Sequence, residues 1–109
     1  MRMTATSIAL FMLFGCSGAE QSKRLSLMDQ IEGSVKLPFG ARPLHEYQRF
    51  YSYGAGGTVL GQFMGGPDER RWLKSYKDFP SISDGGCGVV HVRFDVRSGQ
   101  SESWCNGVA

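Results

Sequence analysis

A stretch of alternating residues near the carboxyl end places the tightest constraint on the fold. From residue 89 onward, apolar and polar side chains follow one another in turn. The apolar set is Val90, Val92, Phe94 and Val96, and the polar set is His91, Arg93 and Asp95. Because successive side chains of a strand point to opposite faces, this period predicts a strand with one buried face and one solvated face. Such a strand is typical of an antiparallel sheet.

A tight turn follows this strand. A three-residue loop with Gly99 in the left-handed conformation would pair Val96 with Gln100. The same register pairs Val92 with Trp104 on the buried face. It therefore predicts a core position for the tryptophan.

The first twenty residues have the pattern of an export signal. Arg2 supplies a positive charge, residues 8–14 (IALFMLF) form an unbroken apolar run, and small residues occupy positions 15–19. The apolar run is too short for a transmembrane helix, which needs about 20 apolar residues. We therefore expect the chain to leave the cytosol.

The signal has two candidate cleavage sites. Residues 13–16 (LFGC) resemble the lipobox of bacterial lipoproteins, whose cysteine thiol takes a diacylglycerol and becomes the new amino terminus. The resemblance implies a signal peptide at residues 1–15, lipidation at Cys16, a tether at residues 16–22 and a domain at residues 23–109. The alternatives are ordinary cleavage after Ala19 and an uncleaved segment.

The cysteine count agrees with export. Either cut leaves Cys87 and Cys105 as an even pair, and paired cysteines in an oxidising compartment form disulfides. The alternative is two reduced thiols in a cytosolic protein. The predicted register offsets the pair by about 13 Å along the strands, whereas a disulfide needs Cα atoms within about 7 Å. Because glycines flank Cys87, we predict a bulge or bend that brings the two sulfurs together.

The remainder of the chain predicts an α+β domain. Leu25, Met28 and Ile31 recur at helical spacing before a glycine, which predicts a short amphipathic helix. Residues 49–64 contain two aromatic and β-branched runs around a Gly-Ala-Gly-Gly turn, which predicts a hairpin, and residues 71–76 predict a third strand. We expect a short N-terminal helix packed on a four- or five-stranded antiparallel sheet with one disulfide.

Three stretches of the chain carry a resemblance to known proteins. These are residues 37–44 (LPFGARPL), 84–95 (DGGCGVVHVRFD) and 104–107 (WCNG). They resemble short uncharacterised exported proteins of sphingomonad-type alphaproteobacteria. The resemblance implies a bacterial envelope protein with a paired cysteine near its carboxyl end, and it implies no activity.

Catalytic and metal-binding patterns are weak. The histidines, His45 and His91, lie 46 residues apart, and neither has a distinctive spacing to a nucleophile and an acid. The two later cysteines lack the close spacing of structural zinc ligands, so we predict no metal site and no cofactor. The glycine-rich residues 54–61 lack the Gly-Lys-Ser/Thr of a phosphate-binding loop and favour a plain hairpin turn.

A small contact patch is the best candidate for a binding site. If Phe50 points inward, Tyr51 and Tyr53 point outward together, and Arg71 and Trp72 lie nearby in the chain. The formal charge of +2 is too small to indicate a nucleic-acid partner. We therefore expect a membrane-anchored, non-enzymatic envelope module that binds or supports a protein partner.

Two alternatives to this function remain open. The first is a periplasmic enzyme inhibitor, by analogy with other small exported proteins that carry disulfides. The second is a small hydrolase that uses His91.

Overall fold

A computed structural model describes residues 2–107, with side chains described from residue 18 to residue 107. One helix, α1 (Arg2–Ser34), precedes five strands. The strands are β1 (Tyr47–Tyr53), β2 (Thr58–Gly65), β3 (Arg70–Trp72), β4 (Val89–Asp95) and β5 (Ser101–Cys105). They form one sheet in the order β3-β1-β2-β4-β5. The predicted α+β class, the five strands and the disulfide are confirmed.

The sheet is mixed, so the prediction of a purely antiparallel sheet is wrong. Strands β1, β2, β4 and β5 pair antiparallel, whereas β3 runs parallel to β1. Strand β2 ends opposite Tyr47, and the short connection at residues 66–69 carries the chain around the start of β1. The Arg49 N–H donates to the Glu69 carbonyl (2.8 Å), so β3 begins beside the start of β1. It ends at Trp72, and Tyr76–Asp78 forms a 3-10 turn instead of a continued strand.

Helix α1 is longer than the sequence pattern predicts. It continues through residues 18–22, which we expected to form a tether, and it ends at Ser34 beside the predicted glycine stop. Its buried side chains are Leu27, Met28 and Ile31, whereas Leu25 is half-exposed. A strict three-residue spacing drifts around a helix of 3.6 residues per turn, and this drift carries Leu25 away from the sheet.

The core lies between α1 and one face of the sheet. The buried strand residues on this face are Tyr47, Tyr51, Val59, Phe63, Val90, Val92 and Phe94. The ring of Tyr51 meets the ring of Phe63 edge to face, with centroids 5.7 Å apart. Gly61 lies between these rings, and a Cβ atom there would come within 3.3 Å of both. The buried face of β4 is therefore confirmed, except that Val96 lies beyond the strand and is partly exposed.

The β4–β5 hairpin differs from the predicted register by one residue. Gly99 is left-handed as predicted (φ 75°), but Phe94 pairs with Ser101, which makes the loop one residue longer. The Asp95 carboxylate accepts hydrogen bonds from the backbone N–H groups of Arg97 (2.9 Å) and Ser98 (3.1 Å), and it stabilises this longer turn. A shift of one residue moves every side chain of a strand to the other face.

The predicted bend at the cysteines is confirmed. Cys105 ends β5, whereas Cys87 lies in a 3-10 turn (Gly86–Gly88) before β4. Gly85 and Gly86 adopt positive φ angles of 118° and 51°, which a residue with a side chain rarely adopts. The turn brings the two Cα atoms within 4.5 Å of each other, and the sulfurs are bonded.

Candidate functional site

A groove lies on the face of the sheet opposite α1. It has a volume of about 410 Å³ and lies between the middle of the sheet and the connection from β3 to β4. Its lining includes Leu60, Gln62, Tyr76, Phe79, His91 and Trp104. This volume lies near the lower end of the range typical of small-ligand pockets.

The β3–β4 connection is fixed to the sheet by a buried amide. The Gln62 side chain is 6 % exposed, and its Nε2 atom donates a hydrogen bond of 2.7 Å to the Pro80 carbonyl. The Ser75 hydroxyl accepts a hydrogen bond from the Lys77 N–H (3.1 Å) and caps the 3-10 turn in the same connection. The wall of the groove is therefore held by specific hydrogen bonds.

His91 lies in the groove with its ring orientation fixed. Its Nε2 atom is 2.7 Å from Oδ1 of Asn106. The Asn106 amide nitrogen donates to two backbone carbonyls, those of Ile82 and Asp84, each at 3.0 Å. Since carbonyls only accept, Oδ1 must face the imidazole, and the proton must reside on Nε2. In neutral His91 the Nδ1 atom is then the hydrogen-bond acceptor.

The hydrogen-bond partner of His91 is Asn106, and its chemistry differs from that of a catalytic partner. A hydrolytic histidine is oriented by a carboxylate, which stabilises the imidazolium that forms during the reaction. Here the orienting group is a neutral amide, and within residues 18–107 no hydroxyl or thiol hydrogen-bonds to the ring. The arrangement is suited to holding a ligand, through one open acceptor atom and one aromatic surface.

Trp104 occupies the solvated face beside His91. The two residues are direct partners across β4 and β5, and their rings stack with centroids 5.7 Å apart at an interplanar angle of 27°. The predicted core position of Trp104 is wrong, because the shifted register turns the indole away from α1. Trp104 is 46 % exposed and Tyr76 is 48 % exposed, so the groove presents two large aromatic rings to solvent.

Of the four residues predicted to form a contact patch, only two lie together at the surface. Tyr51 is fully buried under α1 and Phe50 lies on the opposite face, so the expected orientation of this strand is wrong. Arg71 pairs with Phe50 and shares its face, whereas Trp72 pairs with Tyr51. Only Tyr53 and Trp72 come together at the surface, with ring centroids 4.8 Å apart.

Tyr51 is instead part of an ionic cluster between α1 and the sheet. Its hydroxyl donates to the Glu32 carboxylate (2.7 Å), which also accepts from Arg49 Nε (3.0 Å). Burial, followed by this hydrogen bond, raises the pKa of Tyr51. Burial lowers the pKa of Arg49, but hydrogen bonds to Asp68 and Glu32 outweigh it, and the net shift of that pKa is upward. The charged groups of this cluster pair with one another, and they hold α1 against the sheet.

The other predicted sites are placed as follows. Cys16 lies outside the residues whose side chains are described, so its lipidation stays a prediction. His45 is exposed in the 3-10 turn Leu44–Glu46, where its Nε2 atom is 4.0 Å from the exposed Glu46 carboxylate. The turn at residues 54–57 joins β1 to β2 as predicted, with Gly56 and Gly57 at positive φ.

Within the described residues, neither a metal-binding cluster nor a membrane-spanning helix is present. No group of three or more histidine, cysteine or acidic side chains in the part of the chain with described side chains comes close enough to share a metal ion. Among the described residues, no helix combines the length and the apolarity needed to cross a bilayer.

Sequence reasoning missed Tyr76, which lines the groove, and Asn106, which hydrogen-bonds to His91 beside it. Asn106 stands in an Asn-Gly pair, which favours a turn and gave no indication of a link to His91. The pattern of residues 71–76 predicts a strand that ends at Tyr76, whereas this residue begins a 3-10 turn. Comparison with protein families, with curated proteins and with solved structures gives no match, so the site rests on its own geometry.

Proposed function

We propose that this chain is a non-enzymatic binding module of the bacterial envelope, anchored to the membrane through Cys16. Its binding site is the groove that contains His91 and Trp104. The observation that carries the proposal is the exposure of two aromatic rings, Trp104 and Tyr76, in a groove whose wall is fixed by hydrogen bonds. Exposed aromatic side chains in concave sites are frequent anchors of binding energy.

Rigidity supports a role in binding. The Cys87–Cys105 disulfide ties the end of β5 to the turn before β4, and Asn106 links the same strands to residues 82–86. A preformed site loses little conformational entropy when a ligand arrives. Binding at this face therefore needs no refolding of the chain.

The envelope location is supported by sequence and by the disulfide. The first twenty residues have the charge, the apolar run and the small residues of an export signal. A disulfide is compatible with an extracytoplasmic compartment, where thiols are oxidised. The lipobox resemblance at residues 13–16 supports the anchor.

Site-specific photocrosslinking in cells tests the binding role. A photoreactive phenylalanine replaces Tyr76 in one variant and Trp104 in a second, while a third carries it at Lys36, an exposed position on the connection after α1. We expect a discrete adduct of defined mass from positions 76 and 104 and none from position 36. Equal adducts from all three positions, or none from the groove, would contradict the proposal.

The mass of the intact amino terminus tests the anchor. A chain that begins at Cys16 with a diacylglycerol supports lipidation, whereas a chain that begins at Glu20 supports ordinary cleavage.

The variant His91→Ala tests the hydrolase alternative. A folded variant with an unchanged phenotype argues against catalysis by this residue.

A further inference from the structure

A cationic and aromatic surface lies at the amino-terminal end of the packed part of α1. We call it the entry surface, and its members are Lys23, Arg24, Leu25, Tyr53 and Trp72. The Tyr53 and Trp72 rings meet edge to face. Lys23 Nζ lies 5.9 Å from the centre of the Tyr53 ring, and Arg24 Cζ lies 5.7 Å from the centre of the Trp72 ring.

The charges of this region are predominantly positive. Glu20 is the acidic neighbour, with its carboxylate 3.7 Å from Arg24 Nε and 3.4 Å from the Tyr53 hydroxyl. Lys74 is exposed and level with Tyr53, because the preceding residue donates its N–H to the Tyr51 carbonyl. The cations near this end of the sheet are thus Lys23, Arg24 and Lys74, and the Glu20 carboxylate lies beside Arg24.

Arg70 does not contribute to this surface, although it is adjacent in the chain to other basic residues. Its guanidinium is 2.8 Å from the Asp29 carboxylate and 3.5 Å from that of Glu32. It therefore belongs to the ionic cluster beneath α1. The cations that remain available to a partner are Lys23 and Arg24 on α1, together with Lys74.

This combination of side chains matches the chemistry of a membrane interface. Tryptophan and tyrosine concentrate at the level of the lipid headgroups, where an amphipathic ring has both an apolar and a wet environment. Lysine and arginine extend their charged ends toward anionic headgroups while their stems cover apolar surface. The half-exposed Leu25 adds an apolar side chain to the same region.

The position along α1 brings the entry surface within reach of the bilayer. The helix is continuous from Arg2 to Ser34, and at 1.5 Å per residue Arg24 lies about 12 Å along the axis from Cys16. The headgroup layer is about 5–8 Å thick, and electrostatic attraction extends a further 8 Å or so at physiological salt. A lipid on Cys16 would therefore hold these cations within the range of the headgroups.

We infer that the entry surface contacts the anionic headgroups of the membrane in which Cys16 is anchored, and that this contact orients the domain. The inference rests on the proposed anchor. It leaves the groove, on the opposite face of the sheet, free for a second partner.

The two tryptophans of the chain allow a direct test, because one lies in the entry surface and the other in the groove. The full chain is purified from bacterial membranes and reconstituted in vesicles of phosphatidylethanolamine and phosphatidylglycerol that carry a bromine quencher near the headgroup. Trp104→Phe leaves the fluorescence of Trp72 alone, and Trp72→Phe leaves that of Trp104. We expect quenching of Trp72 to exceed quenching of Trp104 at least threefold.

A charge reversal supplies the matched control. In the Trp104→Phe background, Lys23→Glu with Arg24→Glu should abolish the excess quenching of Trp72. Lys36→Glu with Lys77→Glu makes the same change of charge at exposed positions elsewhere and should preserve it. Replacing the anionic phosphatidylglycerol by the zwitterionic phosphatidylcholine should also abolish the excess quenching of Trp72.

The outcomes separate this inference from the anchor on which it rests. If the chain floats with vesicles and the two tryptophans are quenched equally, the inference is wrong and the anchor stands. If both charge-reversal pairs behave alike, the inference is also wrong. If the chain does not float with vesicles, the anchor and the inference fail together.

Discussion

Removal of the disulfide is the perturbation whose cost follows most directly from the structure. Replacing Cys87 and Cys105 together by alanine opens a covalent loop with a sequence separation of 18 residues. The chain-entropy model predicts a loss of about 3 kcal/mol in the free energy of unfolding for a loop of this length. That loss arises in the unfolded chain, which gains conformational freedom.

The native bend should survive the double replacement. The Asn106 N–H lies within hydrogen-bond distance of the Gly86 and Val89 carbonyls, at 3.1 and 2.8 Å. The amide of the same side chain holds the carbonyls of Ile82 and Asp84. These contacts keep the turn against β5 without the sulfur bridge, so the comparison is between two folded proteins.

Urea unfolding followed by tryptophan fluorescence measures the effect. The double variant should unfold at lower urea, and its unfolding slope should be steeper because its denatured state is more expanded. A loss of less than about 1 kcal/mol, with an unchanged slope, would refute the loop-entropy reasoning. A native-state spectrum that differs between the two proteins would refute the claim that Asn106 preserves the bend.

Three further predictions concern the buried polar groups. Tyr51→Phe removes the hydrogen bond to Glu32 and should cost about 1.5–3 kcal/mol, measured by urea unfolding. The raised pKa of Tyr51 means that the folded state retains the phenolic proton longer than the unfolded state does. Stability should therefore be complete below about pH 10 and fall as the pH rises further, and Tyr51→Phe should reduce that fall. Asn106→Ala removes the partner of His91, and nitrogen chemical shifts of the imidazole should change from one dominant tautomer to a mixture.

The sequence predicted the carboxyl-terminal hairpin closely but misplaced it by one residue. The alternation of β4 identifies its buried face, and the need for a left-handed residue identifies Gly99. The loop length depended on Asp95, whose carboxylate stabilises a longer turn. An aspartate at the start of a turn with a glycine at its end favours that geometry, so the signal was present in the residues. Without this signal, the predicted register places Trp104 in the core, whereas the structure places it in the groove.

The orientation of β1 was not available from its own residues. Aromatic side chains occupy both faces of this strand, with Phe50 on one and Tyr51 on the other, so periodicity alone does not distinguish the buried face. Residues that are distant in the chain determine which face of β1 is buried. Gly61 leaves space beside Tyr51, and the Glu32 carboxylate on α1 accepts a hydrogen bond from the Tyr51 hydroxyl. The parallel course of β3 likewise depends on tertiary contacts.

The Glu32 carboxylate has a consequence for how the molecule opens. It accepts hydrogen bonds from Arg49 on β1, directly beside the core, and from Arg70 on the edge strand β3. Lifting α1 would take Glu32 away from the buried Arg49, and peeling β3 away would take Arg70 from Glu32, so both motions break the same set of ion pairs. The helix and a three-residue edge strand that would otherwise fray should therefore detach as one cooperative unit, while the cross-linked β4–β5 hairpin opens separately.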